Sequence, residues 1–223
     1  MILVVPEVLS SEELGTVRAA LSGARFIDGR VTAGTLAAEQ KHVLQLDRSG
    51  DGQREAGALV ARALLGHATV QAAALPKSLG HPNINRYEPG MFYGPHLDAP
   101  IMRGQPPMRA DISVTVFLSE PSDYTGGELM VSSDQAPVSV KAKAGDAVLY
   151  PSGSIHEVRP LESGVRLVAV TWIQSMVRGA EQRRLLFTLG TAVADLEKQL
   201  PNTKACLDLR ATHDALLRMW AEP

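Results

Sequence analysis

The sequence predicts a mainly β chain with flanking helices: a double-stranded β-helix (jelly roll) with N-terminal helices and a small helical C-terminal appendage. Three observations carry that prediction. Between residues 80 and 175, short extended runs follow one another with Gly, Pro, Asp and Ser between them. Helical periodicity occupies both flanks. The 223 residues are 45% hydrophobic and 21% charged, with a net charge of −2, which is an ordinary globular composition for one domain or a domain plus a small appendage.

The elements follow in order. Ser10 followed by Glu13 forms a capping box that opens a helix to about Leu21. "FIDGRVT" reads as a turn between extended pieces, and 53–66 as a second helix. Residues 1–79 are thus a helical and mixed buttress for the barrel. Residues 80–177 form the jelly-roll core, with eight candidate strands: "PNINRYE", "YGPHLDA", "ADISVTVFLS", "GELMVSS", "PVSVKAK", "DAVLYPS", "HEVRPLE" and "VRLVAVTWIQ". Residues 178–223 return to helix as a C-terminal appendage. One apolar stripe there runs through Leu185, Leu186, Leu189, Val193, Leu196 and Leu200, and a second through Leu216, Leu217 and Trp220.

Several function classes are disfavoured. A near-neutral charge without a Lys/Arg run gives no nucleic-acid footprint. "MILVVPEVLS" lacks a basic leader, and its apolar run is short for a signal peptide. The apolar stretch 56–75 is broken by Arg62, His67 and Gln71, so no membrane span is expected and the cytoplasm is the expected location. Cys206 is the only cysteine, which leaves no internal disulfide and no multi-cysteine zinc site.

The chemistry centres on "YGPHLDAP", residues 93–100. Side chains alternate along a strand, so His96 and Asp98 share a face. If that face looks into a barrel, an imidazole and a carboxylate are buried together, and a metal ion is the usual compensation. Six histidines and eleven aspartates make such a pair common by chance, and a hydrogen-bonded pair on a solvated strand is the competing reading. Two further residues favour the metal. His156 opens the seventh run, and ten residues later Arg166 opens the eighth, whose other members are almost wholly apolar. With the second, seventh and eighth strands as neighbours across one sheet, His96, Asp98 and His156 form the facial triad of iron(II) oxygenases, with three open positions. Arg166 on the same lining fits the distal carboxylate of 2-oxoglutarate as co-substrate.

The pattern "NRYEPGMFYGPHLD…RADISVTVFLSEP…YTGGELMV…AGDAVLYPSGSIHEVRPLESGVRLVAVTWIQSM" resembles the bacterial PKHD-type hydroxylases, relatives of the prolyl 4-hydroxylase and procollagen lysyl hydroxylase catalytic domains. The resemblance extends to "DGRVTAGTLAAEQK" and to the helical C-terminus. It implies iron at His96, Asp98 and His156, 2-oxoglutarate at Arg166, dioxygen as co-substrate and ascorbate as reductant. It also hints at a role near iron uptake. The substrate is a small molecule or a peptide; peptidyl proline or lysine, a free amino acid and a siderophore fragment all stay open.

Other residues near this set have two readings each. Tyr87 and Tyr93 flank the metal strand, and by resemblance one of them, Tyr87 the better candidate, hydrogen-bonds the co-substrate; otherwise it is an ordinary strand aromatic. Prolyl hydroxylases use a strand tyrosine at the position matched here by Phe117, which has no hydroxyl. Thr115, on the same face as Ser113 and Phe117, is a candidate replacement donor or a common strand residue. Trp172 shares the parity of Arg166, Val168 and Val170, and either walls the co-substrate pocket or packs the core. Gly126 and Gly127 make a turn, or give flexibility beside the pocket. Arg109 and Asp111 read as a pair near the pocket mouth or, the preferred reading, as a surface salt bridge, and His42, His67, His81 and His213 receive no role. The apolar stripes of the C-terminal helices predict packing on the barrel and a homodimer. Two rival classes remain: a cupin-like metal enzyme independent of 2-oxoglutarate, and a non-enzymatic jelly roll that binds a metal or ligand.

Overall fold

The computed structural model describes residues 1–32, 39–47 and 49–223. Residues 33–38, the middle of "DGRVTAGTLAAEQK", lie outside the described residues. The first strands are β1 (Leu3–Val5), β2 (Phe26–Asp28), β3 (Lys41–His42), β4 (Leu44–Leu46), β5 (Pro76–Leu79), β6 (Asn83–Tyr87), β7 (Phe92–His96), β8 (Ile101–Met102) and β9 (Met108–Arg109). Then come β10 (Ile112–Phe117), β11 (Tyr124–Gly126), β12 (Leu129–Val131), β13 (Val138–Val140), β14 (Ala147–Pro151), β15 (His156–Val158), β16 (Leu161–Gly164) and β17 (Arg166–Ser175). The helices are α1 (Ser11–Leu21), α2 (Asp51–Gly66), α3 (Ala68–Ala74), α4 (Ala180–Gln199) and α5 (Lys204–Trp220).

Two antiparallel sheets face each other. The larger runs β1-β14-β10-β17-β6-β4-β2, with β5 paired to the end of β17. The smaller runs β13-β12-β15-β7-β3. This is the jelly-roll-like architecture expected, with helices at both termini. Strand alternation builds two cores from one sheet. Ile112, Val114 and Val116 of β10, Ala147 and Leu149 of β14, and Ala169 and Ile173 of β17 pack outward with Val17, Val60 and Val70 of the first three helices. Phe117, Val148, Tyr150 and Val168, on the other parity, pack inward with Leu129, Val131 and Val158 of the smaller sheet. The central strand is therefore covered on both faces, which is why "RLVAVTWI" reads as nearly unbroken apolar sequence.

Local chemistry sets the ends. Ser10 accepts from the Glu13 N–H at 3.2 Å while the Glu13 carboxylate accepts from the Ser10 N–H at 3.0 Å, the reciprocal cap expected for α1. "HEVRPLE" is two strands, not one, because Pro160 has no N–H to continue a ladder. "FIDGRVT" contains strand β2 followed by a 3-10 turn at Gly29–Thr32. The expected adjacency of three site strands needs correction. β7 and β15 are neighbours in the smaller sheet, but β17 sits in the larger one between β10 and β6. Arg166 therefore approaches the interior from across the barrel.

The C-terminal helices form a hairpin, with α4 against α3. The chain after α5 returns to the barrel: Val177 bridges Ala221, and the Glu222 N–H donates to the Met176 carbonyl at 2.7 Å. Among the described residues, no helix is long and apolar enough to cross a membrane.

Candidate metal and co-substrate site

His96 closes β7, His156 opens β15, and the two are direct cross-strand partners. Asp98 is not on the strand, as alternation suggested. β15 begins at His156, so β7 has no partner beyond His96, and Asp98 reaches back from the irregular segment that follows. The ligand atoms of the three side chains nevertheless lie within 4.8 Å of one another, the one such cluster among the described residues. The Asp98 Oδ2 is 3.6 Å from His156 Nε2.

The two imidazoles are oriented alike. His96 Nδ1 lies 2.8 Å from the Gly94 carbonyl and His156 Nδ1 3.0 Å from the Ser154 carbonyl. A carbonyl only accepts, so each Nδ1 carries the proton and each Nε2 presents its lone pair to the cluster. A bulge in β7 assists. Three residues of β15, His156 to Val158, face four of β7, Tyr93 to His96. The extra residue lets Tyr93 stack on His96 with centroids 3.6 Å apart and planes 11° apart. Burial, with the neighbouring His156 second, pushes His96 down to about 4, against the opposing pull of the Gly94 carbonyl and Asp98. A ring kept neutral there is the form that ligates a metal. Two imidazoles and one carboxylate fit a divalent iron with open positions.

On the facing sheet, Arg166 is 1% exposed. None of its three side-chain nitrogens has a hydrogen-bond partner, and it makes no ion pair among the described residues. Its guanidinium carbon lies 5.0 Å from the Tyr87 ring centroid and 5.7 Å from that of Phe117. Tyr124 presents a second buried, unpartnered polar atom, its hydroxyl. Burial raises the Tyr87 and Tyr124 hydroxyls, and Arg166 pulls both back, so both lie in its field. Gly127, with φ +66°, clears the space: a Cβ there would meet Leu161 Cδ1 at 2.8 Å and Arg166 Cδ at 3.1 Å.

The remaining expected residues sort as follows. Thr115 is buried, on the inward parity, and interacts with the deeply buried Tyr150 hydroxyl. Trp172 pairs in register with Ser113, and its indole N–H is buried without a partner. Arg109 and Asp111 are not a surface pair. Asp111 is 7% exposed, accepts from Arg109 Nε at 2.7 Å, and also accepts from the Ser175 N–H at 2.9 Å, tying the start of β10 to the end of β17. Three contributors escaped the sequence reading: Tyr124, Tyr150, whose ring lies edge-on to His156 with centroids 5.0 Å apart, and Ser113, whose hydroxyl donates to Asp98 Oδ2 at 2.5 Å. Ser113 was readable from its parity with Thr115 and Phe117. Tyr124 was not, because it lies on the separate ribbon β11–β16, outside the alternation of the long strands.

Comparison with known proteins gives a consistent result. Residues 82–174 match the model of the 2OG-Fe(II) oxygenase superfamily, and residues 181–222 that of the PKHD-type hydroxylase C-terminal domain. The chain is 41% identical over 227 residues to a PKHD-type hydroxylase of Xanthomonas euvesicatoria pv. vesicatoria (strain 85-10), covering 100% of both chains. It is 42% identical over 226 residues to one from Hyphomonas neptunium, again covering 100% of both. Solved structures of similar fold include a Pseudomonas putida prolyl-4-hydroxylase (TM-score 0.54, 21% identity, covering 78% of this chain and 92% of that one). Another is a Trichoplax adhaerens prolyl hydroxylase in complex with a hypoxia inducible factor peptide fragment (TM-score 0.56, 16% identity, covering 83% and 86%). A third is HygX of Streptomyces hygroscopicus with nickel, 2-oxoglutarate and hygromycin B bound (TM-score 0.51, 17% identity, covering 76% and 81%). Full-length identity of this order, on a fold that brings together two imidazoles, a carboxylate and a buried unpaired arginine, places the chain in the PKHD-type hydroxylases, a family of 2-oxoglutarate- and iron(II)-dependent oxygenases.

Proposed function

We propose that His96, Asp98 and His156 hold iron(II) and that Arg166 holds the distal carboxylate of 2-oxoglutarate, so that the enzyme hydroxylates a C–H bond of a small molecule or peptide. The observation that carries this reading is the Arg166 guanidinium, buried, unpaired and facing the interior that contains the triad. An isolated buried cation is strongly unfavourable without an anionic partner, and a five-carbon diacid supplies one. When bound, the iron supplies the activation of dioxygen that couples decarboxylation of 2-oxoglutarate to insertion of oxygen into the substrate. The chain itself binds, orients and excludes water. His96 and His156 present fixed Nε2 lone pairs, and Arg166 offers a planar fork. The Tyr124 hydroxyl takes the place of the one that Phe117 lacks. Tyr87 and Thr115 line the co-substrate space, and Trp172 walls it with a donor to spare.

We read residues 80–177 as the catalytic core, 1–79 as its buttress and 178–223 as an appendage that supports a homodimer. Ascorbate as reductant, a role near iron uptake and a cytoplasmic location belong to the same proposal. The Trichoplax neighbour takes a peptide and the Streptomyces neighbour hygromycin B, so both substrate classes stay open. The test is direct. Anaerobic addition of iron(II) and then 2-oxoglutarate gives a weak visible charge-transfer band in the wild type. His96→Ala, Asp98→Ala and His156→Ala each abolish it while the fold is retained. Stoichiometric iron binding with 2-oxoglutarate consumption by the triple variant would refute the assignment. Screening metabolite and peptide pools for a mass gain of one oxygen identifies the substrate.

A further inference from the structure

Asp98 differs from its two companions. Each histidine is locked by a carbonyl two residues before it, whereas Asp98 sits on a segment with no ladder, and among the described residues Ser113 is its only hydrogen-bond donor. Ser113 is the second residue of β10 in the opposite sheet, so the bond crosses the barrel. Behind it lies Ser152, with Ser113 Oγ 2.9 Å from Ser152 Oγ. Both serines are buried, at 2% and 3% exposure. Donor arithmetic fixes the direction. The carboxylate only accepts, so the single Ser113 proton goes to Asp98 Oδ2, and the proton between the serines must come from Ser152. The result is a directed chain, Ser152 to Ser113 to Asp98, in which each bond polarises the next.

We propose that Ser113, backed by Ser152, is the positioning residue for the carboxylate ligand: the relay fixes the rotation of the Asp98 carboxylate and draws charge from Oδ2. The proposal rests on the assignment of His96, Asp98 and His156 as the metal site. Partners of this kind, one step behind a ligand, change metal affinity by about 10–100-fold when removed.

Calorimetric titration of the full chain with manganese(II) tests it, alongside the melting temperature of the chelator-treated protein and the visible spectrum of the cobalt(II) form. Ser113→Ala weakens manganese(II) binding by about 10–100-fold and shifts the cobalt bands. Ser113→Thr, which keeps the hydroxyl, restores both. Ser152→Ala, which leaves the direct bond intact, weakens binding in the same direction but less, and serves if Ser113→Ala fails to fold. A fall in melting temperature with unchanged manganese affinity in both alanine variants would mean a structural role only and overturns the relay. Controls separate the two levels of failure. If wild type binds no manganese(II), or His96→Ala binds it as well as wild type, the metal assignment fails and the relay with it. If those controls behave and both alanine variants match wild type, the relay alone fails.

Discussion

Arg166 is a long side chain carrying charge in among the rings of Tyr87 and Phe117, and its lack of an anionic partner among the described residues makes its role measurable. Truncating one partner of a buried charge-assisted pair costs about 2–5 kcal/mol. Arg166→Ala therefore weakens 2-oxoglutarate binding by roughly 30-fold to several thousand-fold, read by calorimetry on the manganese-loaded protein, with metal affinity nearly unchanged. Arg166→Lys recovers only part, since a point charge does not reproduce the fork. Tyr124→Phe removes one donor from the same carboxylate and costs about tenfold. Unchanged affinity in all three would remove Arg166 from the co-substrate site. A second prediction concerns His96. Burial lowers it from its usual 6.5 to about 4 in the metal-free protein. Between those values the unfolded chain binds a proton that the folded chain refuses, so stability falls as pH drops through that window and the His96 contribution is flat below it. Melting temperatures of chelator-treated protein between pH 7 and pH 4 show this slope, and His96→Leu lacks its share. The clustering of His96, Asp98 and His156 and the burial of Arg166 were legible from residue type, although strand parity misplaced Asp98, which follows the strand. The bare triad left a cupin-like enzyme and a binding module standing, and the longer motif did not remove them; full-length identity to PKHD-type hydroxylases did.

At the scale of elements, the strand runs were legible because Gly and Pro punctuate them, and the capping box fixed the start of α1. Pairing partners were less so. Nothing local in "RLVAVTWI" says which sheet it joins; that depends on β10 and β6 flanking it, which is a property of distant sequence. The β7 bulge was equally hidden, since it is defined by the count of residues on two strands at once. Asp111 shows the cost of judging a pair by composition. Read as surface charge, it instead joins β10 to β17 with its carboxylate 7% exposed. Arg109→Ala strips that buried carboxylate of its charge-assisted partner and leaves only the Ser175 N–H, so a loss of about 1–3 kcal/mol is expected by denaturant titration. A loss near zero would mean that the surface reading was right after all.

The molecule as a whole is one barrel wall shared by two cores: helices α1 to α3 pack on its outer face, and the site occupies its inner one. The C-terminal hairpin joins this arrangement differently. It is anchored at both ends. Arg183, 5% exposed, donates to the Val177 and Arg178 carbonyls at 2.7 and 2.8 Å, and Lys77 Nζ donates to the Glu222 carbonyl at 3.2 Å. Leu186 and Val193 of the first stripe are buried, as periodicity suggested. Other apolar residues of the hairpin are not: Leu200 is 54% exposed, Leu207 61% and Met219 74%. One appendage of two helices has too little second surface to cover them, whereas a copy of itself offers a complementary one, and closed two-fold dimers are the commonest assembly. The proposed homodimer therefore predicts a mass of twice 23.9 kDa by light scattering at concentrations well above micromolar. Leu207→Arg, at an exposed position, should leave the monomer folded and shift the mass to that of a single chain. A wild-type monomer under those conditions would refute the dimer while leaving the docking of the hairpin on the barrel untouched, because Arg183 and the Val177–Ala221 bridge act within one chain.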